Sequence, residues 1–489
     1  MGTVAILFLL PFCGRRKGMK TQTLTAACLV ALTLASPALA ATHKHPAPKI
    51  VARVASPATP APMPTSAYPL PAPTMTPQPN TPALSLTDVE KIALARSPQL
   101  EVARAAVDQA QSGIDIARSA ELPNVSAQAS TDRSKSNFRV GGGNATAAVL
   151  LTSNGASANL RQLILDGGRV ANEVQSARYS TDAARLSLTR EIQTVLLTVA
   201  QQYFASLQAR YTLRAALDSL HVAQVQEKLV EAQYRVGVAA RADVLTAQLP
   251  VAQAQLAVTQ AQNGEASNSA ALLATIGLAA QTPINLKDDT SVTQTRVDLN
   301  DAVNVAMQQR ADLQAAQANE RAAEANVRAA KLARFPVLAG TATDGTASTS
   351  QNGKNYSNSY SFGASLSFPI LDGGLIHGQT EAARAQQRTA QANLINTQLT
   401  VSLNIQQAIL GLQTAQSALT ASNVELAQAR TVVDVTNAQY KAGVTTLPLL
   451  LNAQNQLTRA ETDQINALYG YKVAQQNLYY AEGAMGPVP

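Results

Sequence analysis

The chain has no tryptophan, and aromatic residues make up only 4% of its 489 positions. Ordinary globular cores are stocked with large side chains, so this poverty excludes thick domains and argues for thin, closely packed helices with wet surfaces. The stretches with helical spacing are indeed filled with Ala, Gln, Ser, Asn and Thr, within an apolar content of 46%. Cysteine is nearly absent: the only two, Cys13 and Cys28, fall in a segment expected to be removed on export. That excludes a disulfide, a thiol nucleophile and a cysteine metal site from the mature chain. Histidine is scarce as well. His221 and His377 stand alone on helical stretches, and His43 and His45 head a tether, where paired histidines are usually bystanders. No Ser/His/Asp, paired-carboxylate or metal-ligand constellation recurs, so the pattern is not that of an enzyme, and no metal or cofactor is expected.

The first 40 residues read as a signal peptide: Lys20 is basic, Leu24–Leu34 is apolar, and Ala38-Leu39-Ala40 forms a small-x-small cleavage site. The apolar run is shorter than the ~20 residues of a spanning helix. Met19 could equally start a complete signal, so residues 1–18 are either an extended basic region or an over-long start. Cys28 precedes the most apolar part of the signal, which disfavours lipidation. Arg15, Arg16, Lys17 and Lys20 leave with the signal and no acids do, so the net charge of +7 becomes +3 by subtraction of four. Without a basic stripe interleaved with aromatics, nucleic acid is not an expected partner. Residues 41–83 form a Pro/Ala-rich linker, a composition that favours an extended tether over a core.

What the chain does have is a repeat, which decides the reading of everything else. Leu165-Asp166-Gly167-Gly168 returns as Leu371-Asp372-Gly373-Gly374, and Tyr234-Arg235-Val236-Gly237-Val238 as Tyr440-Lys441-Ala442-Gly443-Val444. Both offsets are 206, since 372 − 166 = 440 − 234 = 206. Upstream, Asp88 matches Asp301 and Pro123 matches Pro336 at 213, so the first copy carries seven more residues between its proline and its Asp-Gly-Gly, expected in a loop. The repeats span 84–280 and 299–482, with a connector at 281–298 and a tail at 483–489.

Within each copy the order is helix, strand hairpin, long helix, returning helix. Thr87 or Asp88 is expected to cap a helix running to Leu122, with Pro123 ending it. In the first copy Val125–Ser130 alternates apolar and polar, leading to a loop holding Gly141-Gly142-Gly143. In the second, Tyr360, Phe362, Ala364, Leu366 and Phe368 alternate with Ser359, Ser361, Gly363, Ser365 and Ser367. Aromatics on one side and small polar residues on the other mark a transmembrane β-barrel strand. The first copy is less clear, with Asn154, Ala156 and Gln162 at the places of Tyr360, Phe362 and Phe368. Each copy offers one hairpin. Four strands cannot close around a lumen or hide their edges, so the chain must oligomerise.

Asp-Gly-Gly turns strand into helix: the glycines take a sharp corner and Asp166 or Asp372 caps the free amides. A phosphate loop is the competing reading, but no Gly-Lys-Ser/Thr follows. More than sixty proline-free residues then read as one helix in each copy, roughly 100 Å long at ~1.5 Å per residue. Ile192, Val195 and Val199, then Leu213, Leu217 and Leu220, and later Leu394, Thr397, Val401, Ile405, Ala408 and Leu412, keep coiled-coil spacing. Gly237 and Gly443 end these helices. The first returning helix is expected to pack through Leu245, Leu249, Ala252 and Leu256, with a kink at Pro250; Pro448 falls where a first-turn proline is tolerated.

This order, given twice behind a secretion signal, resembles the TolC-like outer-membrane efflux proteins over about Leu84 to Glu482. The resemblance implies a mainly α fold with a transmembrane β-hairpin pair, a homotrimer whose twelve-stranded outer-membrane β-barrel continues into a long periplasmic helical barrel. It implies a passive channel of a tripartite efflux or type I secretion system, with a periplasmic adaptor and an inner-membrane pump of RND or ABC type as partners. It implies that Gly237-Val238 and Gly443-Val444 form the adaptor-docking tip. It also implies a constriction just beyond, at Arg241 and Asp243 in the first copy and at Leu449 and Asn452 in the second, where Thr445, Leu449 and Asn452 replace the usual charges. The bland reading of Asp243 is a helix cap. A secreted fibrous or adhesin-like coiled coil is the alternative function, though it leaves the two greasy hairpins unexplained.

Overall fold

The computed structural model describes residues 83–139, 146–288, 291, 298–350 and 356–486. The signal peptide, nearly all of the linker, the Gly141-Gly142-Gly143 loop, most of the connector beyond Asp288 and the last three residues of the tail lie outside them. The described residues belong to the unit that begins at Thr76.

Two element series follow one another. The first is α1 (Leu86–Arg96), α2 (Pro98–Ser119), β1 (Asn124–Arg139), β2 (Thr146–Leu165), α3 (Arg169–Arg235) and α4 (Arg241–Thr275). The second is α5 (Leu299–Gln309), α6 (Ala311–Leu332), β3 (Val337–Ser350), β4 (Tyr356–Ser367), α7 (Leu375–Lys441) and α8 (Leu447–Glu482). α3 and α7 each run for 67 residues, about 100 Å at ~1.5 Å per residue. Among the described residues no helix is long and apolar enough to cross a membrane.

Several sequence expectations need correction. The cap of α1 is Ser85, whose hydroxyl accepts from the Asp88 N–H, while the Asp88 carboxylate accepts from the Ser85 N–H, a reciprocal box. The helix expected to reach Leu122 is two: Ser97 leaves the helical region at ψ 122° because the following Pro98 disfavours it, and α2 starts anew. The seven extra residues are not mainly loop. β1 exceeds β3 by two residues (16 against 14), and β2 up to Arg161, the repeat equivalent of Ser367 at the end of β4, exceeds β4 by four (16 against 12), so six of the seven lie in longer strands. α4 continues past Pro250, the place of the expected kink, to Thr275 without a break in the helix. Its packed stripe is Ala247, Val251, Ala254 and Val258, whereas Leu245, Leu249 and Leu256 are about 60% exposed. Within one chain the long helix packs on the small stripe, against which it can lie close, and the leucines stand exposed.

The strands form one antiparallel sheet in the order β1-β2-β3-β4, with β1 and β4 as free edges among the described residues. Register resolves the weak first copy. Val125 lies opposite Leu160, Leu160 opposite Ala342 and Ala342 opposite Phe362, one row on one face. The next row on that face is Ala127, Ala158, Asp344 and Tyr360. The other face carries Ser126, Asn159, Thr343 and Ser361 in one row, with Thr343 Oγ1 donating to Asn159 Oδ1 at 3.0 Å. Directly opposed residues share a face, so the alanines and Leu160 of the first copy join the aromatic face of the second.

Below the sheet, α3 lies between α2 and α6, then between α4 and α8, while α7 packs on α6, α5 and α8. The main core sits midway along α3, where Val195, Leu196, Val199, Tyr203, Phe204 and Leu207 meet α1, Leu272, Ile276 and Tyr469. A second cluster joins Val401, Ile405, Ile409 and Leu412 of α7 to Leu478 and Ala302. The α7 spacing expected from sequence is the one that packs.

Candidate functional site: the helix tips and the turns above them

At the sheet end, Asp166 accepts from the N–H of Gly168 at 2.9 Å and of Val170 at 2.6 Å. Asp372 repeats this with Gly374 at 3.0 Å and Ile376 at 2.8 Å. Those two amides hold the Asp372 carboxyl below the usual carboxylate range. Gly167, Gly168, Gly373 and Gly374 all have positive φ, from 64° to 90°. Gly167 is constrained twice over, because a Cβ there would stand 2.6 Å from the Phe335 side chain.

At the opposite end, α3 and α7 finish in the same hydrogen-bonded turn. Gly237 N–H donates to Tyr234 O at 3.0 Å and Val238 N–H to Gln233 O at 2.9 Å. Gly443 and Val444 repeat both bonds, at 3.0 and 2.9 Å, to Tyr440 and Gln439. This is a Schellman motif with its left-handed glycine, φ 80° and 72°. Such motifs commonly fold their last residue back onto the helix. Here Val238 and Val444 are both 77% exposed.

Just beyond, the two hairpins touch through Val230, Ala247, Leu447 and Leu451, with Ala239, Val244 and Tyr440 at the margin. Tyr440 donates to Gln233 Oε1 at 3.2 Å. Burial and then the nearby Asp243 charge push its phenol up. Asp243 accepts from the Ala240 N–H at 3.0 Å, so it does cap α4. Arg241 is the first residue of α4 and is exposed. Leu449 is not the apolar contact within a chain: it is 53% exposed, while Leu447, Leu450 and Leu451 are buried. Asn452 is exposed too. The structure thus brings Asp243 beside Tyr440 and leaves Arg241, Leu449 and Asn452 exposed on the single chain.

Two polar clusters escaped sequence reading. Midway along α3, the Asp288 carboxylate accepts from Tyr211 at 2.5 Å and Tyr469 at 3.2 Å, tying the connector to α3 and α8. That carboxylate, then burial, pushes the Tyr211 phenol up, and burial, then the carboxylate, pushes up that of Tyr469. Nearer the sheet, Arg310 is 2% exposed, grips Asp312 with two nitrogens at 2.5 and 3.0 Å and donates to Ala481 O at 3.3 Å. Arg190 lies 3.7 Å from the same carboxylate and 3.6 Å above the Tyr480 ring. One signal could have found both. At the repeat offsets Tyr211, Tyr469 and Arg310 correspond to Ser417, Asn263 and Ser97, so they break the repeat.

A family model described as "Outer membrane efflux protein" matches residues 90–278 and again 302–484. The chain belongs to the outer membrane efflux protein family. Outer membrane protein TolC of Escherichia coli is 25% identical over 435 residues, covering 82% of this chain and 83% of its own. Protein CyaE of Bordetella pertussis is 25% identical over 400 residues, covering 81% and 82%. The Campylobacter jejuni CmeC outer membrane channel has the same fold, with a TM-score of 0.67 at 19% identity over 81% of this chain and 85% of that one. The fibrous alternative finds no support. The family is one of outer-membrane channels, and for this efflux protein the periplasmic portion is the long helical part.

Proposed function

We propose that this efflux protein is the passive outer-membrane duct of a tripartite efflux or type I secretion machine, assembled as a homotrimer. The observation that carries the reading is a four-stranded sheet with two free edges and one face on which Val125, Leu160 and Phe362 form a row beside Ala158 and Tyr360, set on helix pairs of about 100 Å. Exposed edges and a greasy face are untenable in one chain, and pairing β4 of each copy with β1 of the next removes both edges. Three copies then make twelve strands, apolar face to the lipid and Ser126, Thr343 and Ser361 to the lumen. The exposed Val238 and Val444 dock a periplasmic adaptor, which links the duct to an inner-membrane pump of RND or ABC type. Residues 84–280 and 299–482 act as its two repeats, joined at 281–298 and tethered by 41–83 behind the signal.

The test is the native mass of detergent-extracted protein from the outer-membrane fraction, with its gel mobility before and after heating. A trimer that falls to monomer on heating is expected. A monodisperse soluble monomer overturns the assembly.

A further inference from the structure

The repeat offset turns contacts made inside one chain into contacts that a single chain leaves unmade. Tyr440 of the second copy donates to Gln233 of the first at 3.2 Å. Shifted by 206, Tyr440 becomes Tyr234 and Gln233 becomes Gln439, because each copy carries the sequence Ala-Gln-Tyr at this place. The made pair, Gln233 and Tyr440, is half-buried. The unmade pair is open: Tyr234 is 45% exposed and Gln439 is exposed. The same shift takes the buried Leu451, 8% exposed, to Leu245 at 61%. At the other end of α3 the logic repeats. Phe335 closes over Gly167, and the shifted pair is Leu122, 56% exposed, with Gly373, whose Cβ position meets nothing within 4 Å.

We infer that Tyr234 and Gln439 form a clasp between copies of this chain, the Tyr234 hydroxyl donating to the Gln439 side-chain carbonyl of a second copy. The inference rests on the trimeric reading and deepens it. Three clasps within chains and three between chains alternate around one ring at the helix tips. A phenol and a primary amide are matched for this, since one donates and the other accepts without any charge to desolvate. The ring is uneven in one respect: Asp243 stands beside Tyr440, whereas its counterpart beside Tyr234 is the uncharged Leu449.

The experiment places the photo-crosslinker p-benzoylphenylalanine at Tyr234, and separately at Tyr440, in the full chain in its membrane. Irradiation of the Tyr234 variant is expected to shift monomer to covalent dimer and trimer on a denaturing gel, with the adduct in the peptide that holds Gln439. The Tyr440 variant is expected to stay at monomer mobility, its adduct in the peptide that holds Gln233. A Tyr234 adduct within its own chain, or no adduct, in protein whose native mass is that of a trimer overturns the clasp and leaves the trimer standing. A parent protein that is monomeric overturns both. Should the bulky group prevent assembly, Tyr234→Cys with Gln439→Cys and a short bifunctional thiol reagent asks the same question of a mature chain expected to have no other cysteine. Covalent trimers support the clasp, and monomers from an assembled trimer sink it.

Discussion

At the scale of single residues, Arg310 and Asp243 carry opposite burdens. The Arg310 guanidinium is buried, and its two bonds to Asp312 and one to Ala481 O hold the break between α5 and α6 against the end of α8. Gly483 is fitted to it, since a Cβ there would lie 3.1 Å from the Arg310 side chain. Removing one partner of such a pair strands the other, and with Asp312 at 30% exposure the loss is about 2–3 kcal/mol. Arg310→Met should therefore lower the thermal midpoint of the assembled protein, followed by circular dichroism, and Asp312→Asn should restore part of it in the Arg310→Met background. An unchanged midpoint would mean that the break is held by packing alone. Asp243 is exposed to a different test. One of its oxygens caps Ala240, yet threefold repetition would gather three carboxylates near one axis, where like charges focus the field and draw cations. Planar-bilayer recordings of wild type and Asp243→Asn separate the two roles. Loss of cation preference and of divalent block in the variant is expected, and identical selectivity would leave Asp243 as a cap.

At the scale of elements, the long helices were legible because their punctuation is local. Asp-Gly-Gly and Tyr-x-x-Gly-Val write a start and a stop that need no tertiary partner, so α3 and α7 lie where the sequence placed them. The apolar stripe of α7 was legible for the same reason. The α4 stripe was not, because leucines at coiled-coil spacing attract attention while the closest packing falls to Ala247 and Ala254, which spacing alone does not distinguish from background. Ser97 was missed for a comparable reason: a cap and a pre-proline break sit inside what still looks like one amphipathic run. The tyrosine clamp on Asp288 and the Arg310 cluster join segments far apart in the chain, and nothing local announces them. The tips make the clearest element-scale prediction. Both glycines have open space where a Cβ would go, so a large side chain there is limited by φ, a cost of roughly 1–2 kcal/mol, and not by collision. Gly237→Trp with Gly443→Trp should leave trimers in the outer membrane and abolish efflux of a reporter substrate, by covering Val238 and Val444. Export at wild-type rates from correctly assembled double variant would put adaptor docking elsewhere.

At the scale of the whole molecule, the question is whether the first copy contributes to the membrane wall as fully as the second. By sequence it looked weak, with Asn154, Ala156 and Gln162 where the second copy has Tyr360, Phe362 and Phe368. Register changes the weighting. Ala158 shares a row and a face with Tyr360 through Asp344, and Leu160 shares one with Phe362 through Ala342, so the small residues of β2 lie on the same wall as the aromatics of β4. Gln162 is accounted for otherwise, since its amide donates to Glu121 O at 2.8 Å at the base of the sheet. If that wall faces lipid, a cation placed on it must leave hydrocarbon, at a cost of about 2–4 kcal/mol near the midplane, whereas one placed on the opposite face enters water. Neighbouring positions on one strand then give opposite results. Ala158→Arg should lower the temperature at which the unheated trimer band collapses, and Ser157→Arg should leave that temperature nearly unchanged while reducing single-channel conductance. The two substitutions differ by one residue, so general damage to β2 would affect both alike. Thermal loss from Ser157→Arg alone, with a conductance change from Ala158→Arg alone, would turn the sheet inside out and assign its serine face to the bilayer.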